Sequence, residues 1–268
     1  MPREFNQGDN GEKAFLLILI SISIISIHVY ANNWSTIRFG VDPTYPPFES
    51  KNATGRLVGY EIDIGNEICA RLHAKCVWEE NDFDGMIPAL RARKFDAILS
   101  GMSITRQRAE QIAFTDKFWN SSLRLVARKG SKISPTPESL AGESVGVQQG
   151  TVGETYAKKY WAPKGVRVIS YQNQDLVYED LTLGRLDAVL IGDIQAEIGF
   201  LRTPFGAGYG FAGDKIVDPT SGKGNAIGLR KEDGDLRDRI NHALTDMLKD
   251  GTYARIEKKY FAFDVYSN

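Results

Sequence analysis

The chain has 268 residues, 42% apolar and 25% charged, an ordinary globular composition with length enough for one large or two small domains. Its formal charge is -1 and no basic tract stands out, which leaves no case for nucleic acid. Any charged partner has to be recognised by a local cluster.

Ala14 to Val29 form an uncharged apolar block, followed by Tyr30, Ala31 and Asn32. The block is short for a membrane span, and Val29-Tyr30-Ala31 offers small residues where a signal peptidase reads. The expectation is a secretory signal, residues 1–31, cut after Ala31. Arg3 and Lys13 are offset by Glu4, Asp9 and Glu12, so a retained N-terminal anchor stays open as the alternative. Without this segment the basic and acidic residues balance.

Ile37 to Val41 reads as a first strand, ending at Asp42-Pro43-Thr44-Tyr45-Pro46-Pro47-Phe48. The prolines forbid helix and ladder there, so Asp42 and Tyr45 stand on a stiff loop at a strand's carboxyl end. Ile64, Ile68 and Leu72 recur at helical spacing after Leu57 to Glu61. Val77 to Glu79 predicts a strand, Met86 to Arg93 a helix and Phe95 to Leu99 another strand. This βαβαβ order predicts a parallel sheet.

After a strand at Leu123 to Ala127 and a loop from Lys129 to Pro137, a second alternating block begins. Ser144 to Gln148, Arg167 to Ile169 and Ala188 to Ile191 read as strands, separated by helices at Thr151 to Lys159 and Asp175 to Leu183. Arg93-Lys94-Phe95-Asp96-Ala97-Ile98 is echoed by Gly184-Arg185-Leu186-Asp187-Ala188-Val189, which predicts two similarly built lobes. Residues 203–224 are Gly-rich and irregular, and Asp235 to Phe261 has helical spacing.

The stretch richest in chemistry is Asp96 to Arg108. A buried strand empties into Ser100, Gly101 and Ser103 just before a helix-compatible segment with Arg106 and Arg108. Ligands of open α/β sheets sit beyond strand carboxyl ends, and an arginine fork pairs with a carboxylate or phosphate, so an anion clamp is expected. The competing expectation is a turn in which Thr105 caps a helix and both arginines face solvent.

Asp42, Tyr45, Glu61 and Phe83 also fall on strand-end loops. Two carboxylates beside ring faces suit a cationic, partly apolar ligand, although each residue equally suits a turn or a core. Cys69 and Cys76, seven residues apart, are the chain's two cysteines. In an oxidising compartment they read as a local disulfide, with two free thiols as the alternative. Three N-x-S/T triplets, at Asn33, Asn52 and Asn120, fit a glycosylation acceptor, a pattern that also arises by chance. Gly208 to Gly213 matches the dinucleotide pattern in letters but follows no clear strand and opens no helix. No histidine with evident triad partners supports serine-hydrolase chemistry, and no metal or cofactor is implied.

Several motifs now combine: Asp42-Pro-Thr-Tyr45-Pro-Pro-Phe48-Glu-Ser-Lys, Gly59-Tyr-Glu-Ile-Asp-Ile, Ser103-Ile-Thr-Arg-Gln-Arg108, Ile112-Ala-Phe-Thr-Asp-Lys117, Gly228-Leu-Arg-Lys-Glu-Asp233, and Asp250-Gly-Thr-Tyr253 with Lys258 through Tyr266. From about Ser35 to Tyr266 the chain resembles the periplasmic solute-binding proteins of polar amino acid ABC importers, in particular those for lysine/arginine/ornithine and for histidine. The resemblance implies the α/β, two-lobed periplasmic binding protein fold (type II), with crossing hinge segments near residues 119–124 and 222–227. Lobe 1 would be residues 32–120 and 226–268, and lobe 2 residues 121–225. It also implies a Cys69–Cys76 disulfide.

By position, the resemblance gives Arg108 the ligand carboxylate, helped by Ser103 and by backbone N–H groups near Val152. Asp42 and Glu61 would face the distal cation, Tyr45 and Phe83 would sandwich the side chain, and Ser100 and Gly101 would add hydroxyl or backbone contacts. The chain departs from the pattern at several places: Glu61 replaces aspartate, Gly101 a frequent serine, Gln148 an apolar residue, and Val152-Gly153 a Thr-Gln pair. Gly192 stands where an aspartate takes the α-ammonium. Asp193, one residue on, is expected to fill that role, with loss of the contact as the alternative.

The expected function is extracytoplasmic binding of a cationic L-amino acid (arginine, lysine, ornithine or histidine) by a monomer that closes on its hinge and delivers to a membrane ABC permease. The resemblance offers two alternatives: a cyclohexadienyl or arogenate dehydratase on the same fold, and a ligand sensor.

Overall fold

The computed structural model describes residues 34–217 and 222–267. The expected signal, its cut after Ala31 and the retained anchor lie outside these residues. Strand β1 (Thr36–Val41) buries Ile37, Phe39 and Val41 completely. Beyond it, β2 (Thr44–Tyr45), β3 (Glu49–Lys51) and β4 (Leu57–Val58) form a small antiparallel sheet where the prolines had suggested loop alone. Helix α1 (Tyr60–Arg71) turns Ile64 and Ile68 inward. Strand β5 (Lys75–Glu80), helix α2 (Met86–Arg91), strand β6 (Ala97–Ile98), the one-turn helix α3 (Arg106–Ala109) and strand β7 (Ala113–Phe114) follow. The cysteines form a disulfide from α1 to β5, with Cα atoms 5.7 Å apart.

The second sheet starts at β8 (Leu123–Arg128) and continues through α4 (Pro137–Leu140), β9 (Ser144–Gln148), α5 (Val152–Tyr156), β10 (Arg167–Tyr171), α6 (Gln174–Thr182), β11 (Ala188–Gly192) and β12 (Tyr209–Phe211). The chain then returns through β13 (Gly228–Leu229) to α7 (Gly234–Lys249) and α8 (Thr252–Glu257), which pack on the first sheet's core.

Two five-stranded sheets result, ordered β5-β1-β6-β13-β7 and β10-β9-β11-β8-β12. We call the units built on them the first and second lobe. The expected parallel pairs are present, β1 with β5 and β6 and β9 with β10 and β11, but both sheets are mixed. In the first, β13 runs antiparallel to β6 and β7; in the second, β8 runs antiparallel to β11 and β12. The return segments that supply β12 and β13 are too short to show a period in sequence.

The repeated motif, a basic residue, an apolar residue and Asp, has a structural counterpart. Asp96 accepts the backbone N–H of Arg38 at 3.0 Å, and Asp187 accepts that of Ser144 at 2.8 Å. In each lobe a carboxylate at the start of one strand thus pins the start of its parallel neighbour. Each sheet has its own core, around Phe39, Phe48 and Trp119 in one and Leu125, Val147 and Trp161 in the other. Each such buried side chain contributes roughly 1.5–3 kcal/mol.

Candidate functional site

Parallel neighbours end side by side, so β1 and β6 deliver Asp42 and Ser100 to one place, and β9 and β11 deliver Gln148 and Gly192 to another. These four strand ends border a cavity between the lobes, with Arg108 on the wall as well. Asp42 is tied into its own lobe: its N–H donates to Ser100 Oγ at 2.9 Å and its carboxylate accepts from Thr44 Oγ1 at 2.8 Å. Gln148 Nε2 donates to the other Asp42 oxygen at 2.7 Å from across the cleft. Burial pushes the Asp42 carboxyl up, against the pull of these donors.

Of the two arginines after Thr105, one faces solvent and the other does not. Thr105 Oγ1 caps α3 by accepting the Arg108 N–H at 3.2 Å, and the Arg106 side chain is 95% exposed. Arg108 turns the other way and is buried. It donates from Nη1 to the Ser103 carbonyl and from Nη2 to the Gly150 carbonyl of the second lobe, both at 2.9 Å, and lies over the Phe83 ring at 5.4 Å. Among the described residues no carboxylate is within ion-pair distance of it. Burial lowers its pKa to about 10.

Nine of the expected residues line the cavity: Asp42, Tyr45, Phe83, Ser100, Gly101, Ser103, Arg108, Gln148 and Val152. Two do not. Glu61 sits behind the wall, accepting from Trp119 Nε1 at 2.6 Å and from the Gly101 N–H at 2.8 Å, because the first turn of α1 points it under those groups. Asp193 is also spent elsewhere. One of its oxygens accepts from Ser121 Oγ at 2.9 Å, Ser122 N at 3.1 Å and Ile194 N at 2.8 Å, and the other pairs with Lys215 at 3.1 Å. The wall at that point is Gly192, where an added Cβ would lie 2.8 Å from both the Tyr45 and Ser121 hydroxyl oxygens.

Sequence reasoning missed Glu49. It is buried on the cavity wall, bonded at Oε1 by Ser100 Oγ at 3.0 Å, while Oε2 meets no donor among the described residues. Burial, then the neighbouring Glu61 charge, pushes its pKa well above the carboxylate range; burial raises Glu61 too, opposed by its N–H donors. No spacing marked it: strand alternation puts Glu49 and Lys51 on one face, yet Glu49 is buried and Lys51 exposed. Trp119, stacked on Phe48 at 3.9 Å between ring centroids, completes the floor.

Residues 37–263 match the profile of the bacterial extracellular solute-binding proteins, family 3. The chain belongs to this family. It is 51% identical over 231 residues to the histidine-binding periplasmic protein of Escherichia coli K12, covering 86% of this chain and 89% of that one. It is 48% identical over 254 residues to the lysine/arginine/ornithine-binding periplasmic protein of the same strain, covering 94% and 97%. The solved structure of an ancestral arginine-binding protein bound to arginine matches with a TM-score of 0.79 at 36% identity, over 85% of this chain and 99% of that one.

Proposed function

We propose that this family 3 protein binds a cationic amino acid in the periplasm and presents the closed form to a membrane ABC permease. One observation carries the reading: among the described residues, the cavity's buried Arg108 has no anionic partner and its two acidic side chains, Asp42 and Glu49, have no cationic one, and they do not pair with each other. Leaving such charges buried and unpaired is costly, so the cavity is complementary to a molecule that brings one charge of each sign. Arg108 takes the ligand carboxylate in a bidentate pair, Asp42 and Glu49 take the distal cation, and Tyr45 and Phe83 flank the chain between.

Lobe 1 is residues 32–120 with 226–268, lobe 2 is residues 121–225, and the two close on the crossing segments. Away from the crossing segments, four hydrogen bonds among the described residues join the lobes: Gln148 to Asp42, Arg108 to Gly150, Gln172 to Asp82 and the Gln174 N–H to Thr44. Ligand shifts the equilibrium because it touches both lobes in this arrangement alone. We read the protein as a monomeric binder and not an enzyme; its cavity wall includes no histidine.

A thermal-shift screen tests this. A ligand at a hundred times its dissociation constant adds about 2.7 kcal/mol of stability. Cationic amino acids and their derivatives should raise the melting temperature, and acidic or neutral ones should not. Stabilisation by acidic or neutral compounds alone would overturn the reading.

A further inference from the structure

A free cationic amino acid carries three ionised groups at neutral pH: a carboxylate, an α-ammonium and the side-chain cation. The cavity answers two of them. Arg108 matches the carboxylate, and Asp42 and Glu49 match the side chain. All the acidic residues on the wall belong to the first lobe.

The α-nitrogen has to lie elsewhere. It is bonded to the carbon that bears the carboxylate, and Arg108 Nη2 already reaches Gly150 of the second lobe at 2.9 Å. A carboxylate on Arg108 therefore brings the α-carbon against the residues that follow Gly150 and the strand ends beside them. That wall is made by Leu123, Val152, Gly153, Leu190, Ile191 and Gly192, and it contains no acidic residue. Its hydroxyls, on Ser121, Ser122 and Thr151, are neutral and supply no counter-charge; Ser121 Oγ donates to Asp193 and Thr151 Oγ1 to the Gln148 carbonyl at 2.7 Å. The acid nearest in sequence, Asp193, is neutralised by Lys215 and caps the turn after it. A primary ammonium buried there would lack a counter-charge, which is strongly disfavoured in a site closed to water.

We infer that the ligand's α-nitrogen is not an ammonium but an uncharged amide: the ligand is an Nα-acyl derivative of a cationic amino acid, and its acyl group packs on the apolar second-lobe wall. This rests on the reading of Arg108 as the carboxylate clamp and names the ligand class for the same site.

Calorimetric titration of the unaltered protein with arginine, Nα-acetylarginine, Nα-carboxyethylarginine and the des-amino analogue of arginine tests it. Nα-acetylarginine should bind about tenfold or more tightly than arginine and than Nα-carboxyethylarginine, which keeps a protonated α-nitrogen, a difference of about 1.4 kcal/mol. Arginine or Nα-carboxyethylarginine binding as tightly as Nα-acetylarginine, or the des-amino analogue binding tightest, overturns the inference and leaves the clamp reading standing. Binding by none of the four removes both. Gly192→Asp, which meets only the movable tips of Tyr45 and Ser121, should shift the preference back toward arginine, whereas the neutral Gly192→Asn should not. An unchanged preference in a folded Gly192→Asp protein counts against the inference.

Discussion

Gln148, the last residue of β9, donates its side-chain amide to the Asp42 carboxylate across the cleft at 2.7 Å. This bond exists only when the lobes are together, so it belongs to the closed state. A hydrogen bond to a charged group is worth about 1.5–3 kcal/mol. Gln148→Leu should weaken binding of a cationic ligand by roughly ten- to a hundredfold and make the ligand-free protein more open. Titration calorimetry reads the first effect and small-angle scattering the second; unchanged affinity would show that the amide contributes nothing to closure.

Gly150 controls closure by sterics. A Cβ there would sit 2.7 Å from the Cα of Asp84 in the other lobe, and backbone cannot yield as a side-chain tip can. Its φ of +76 adds strain for any L residue. Gly142 is the matched control, with φ +83 and nothing within 4 Å of the added atom. Gly142→Ala should cost about 1–2 kcal/mol of stability and leave affinity unchanged. Gly150→Ala should cost a similar amount of stability but weaken binding more than about tenfold. Equal affinities in the two variants would mean that the lobes do not need this approach.

How far the site was legible depended on which force placed each residue. Asp42, Ser100 and Arg108 were found because strand ends and an arginine after hydroxyls are local patterns, and chain order carried them to one cleft. Glu61 and Asp193 were misplaced because their direction depends on partners remote in sequence, Trp119 and Lys215, whose contacts no spacing reveals. Glu49 was hidden for a related reason. The prolines before it suggested a loop, while the small β2-β3-β4 sheet that turns it inward exists only through pairing with residues 57 and 58. In the fold, the parallel strands were visible as apolar runs, and the two-residue strands β7 and β13 were not, since so short a stretch has no period.

Arg108 separates binding from stability. In the ligand-free protein its guanidinium is buried without an anion, so replacing it with an apolar residue of similar length removes a desolvation penalty. Arg108→Met should leave the ligand-free melting temperature equal or higher while costing about 2–5 kcal/mol of ligand binding. A large fall in that melting temperature would assign Arg108 a structural role and count against the clamp.

The acidic recess predicts a pH dependence with a definite sign. Glu49 and Glu61 have folded-state pKa values above their ordinary value of 4.5, raised mainly by burial. Protons therefore bind the folded state more tightly than the unfolded one, and the stability this gives is full below the ordinary value and lost as pH rises through the raised ones. The ligand-free protein should lose stability from about pH 5 to about pH 8, and Glu49→Gln should flatten that loss. A bound cation supplies the missing counter-charge to the ionised pair, so the rise in melting temperature on adding ligand should be larger at about pH 8 than at about pH 5. Melting curves at both values, with and without saturating ligand, read this directly. A ligand-induced shift that shrinks as pH rises would place the ligand's cation away from Glu49.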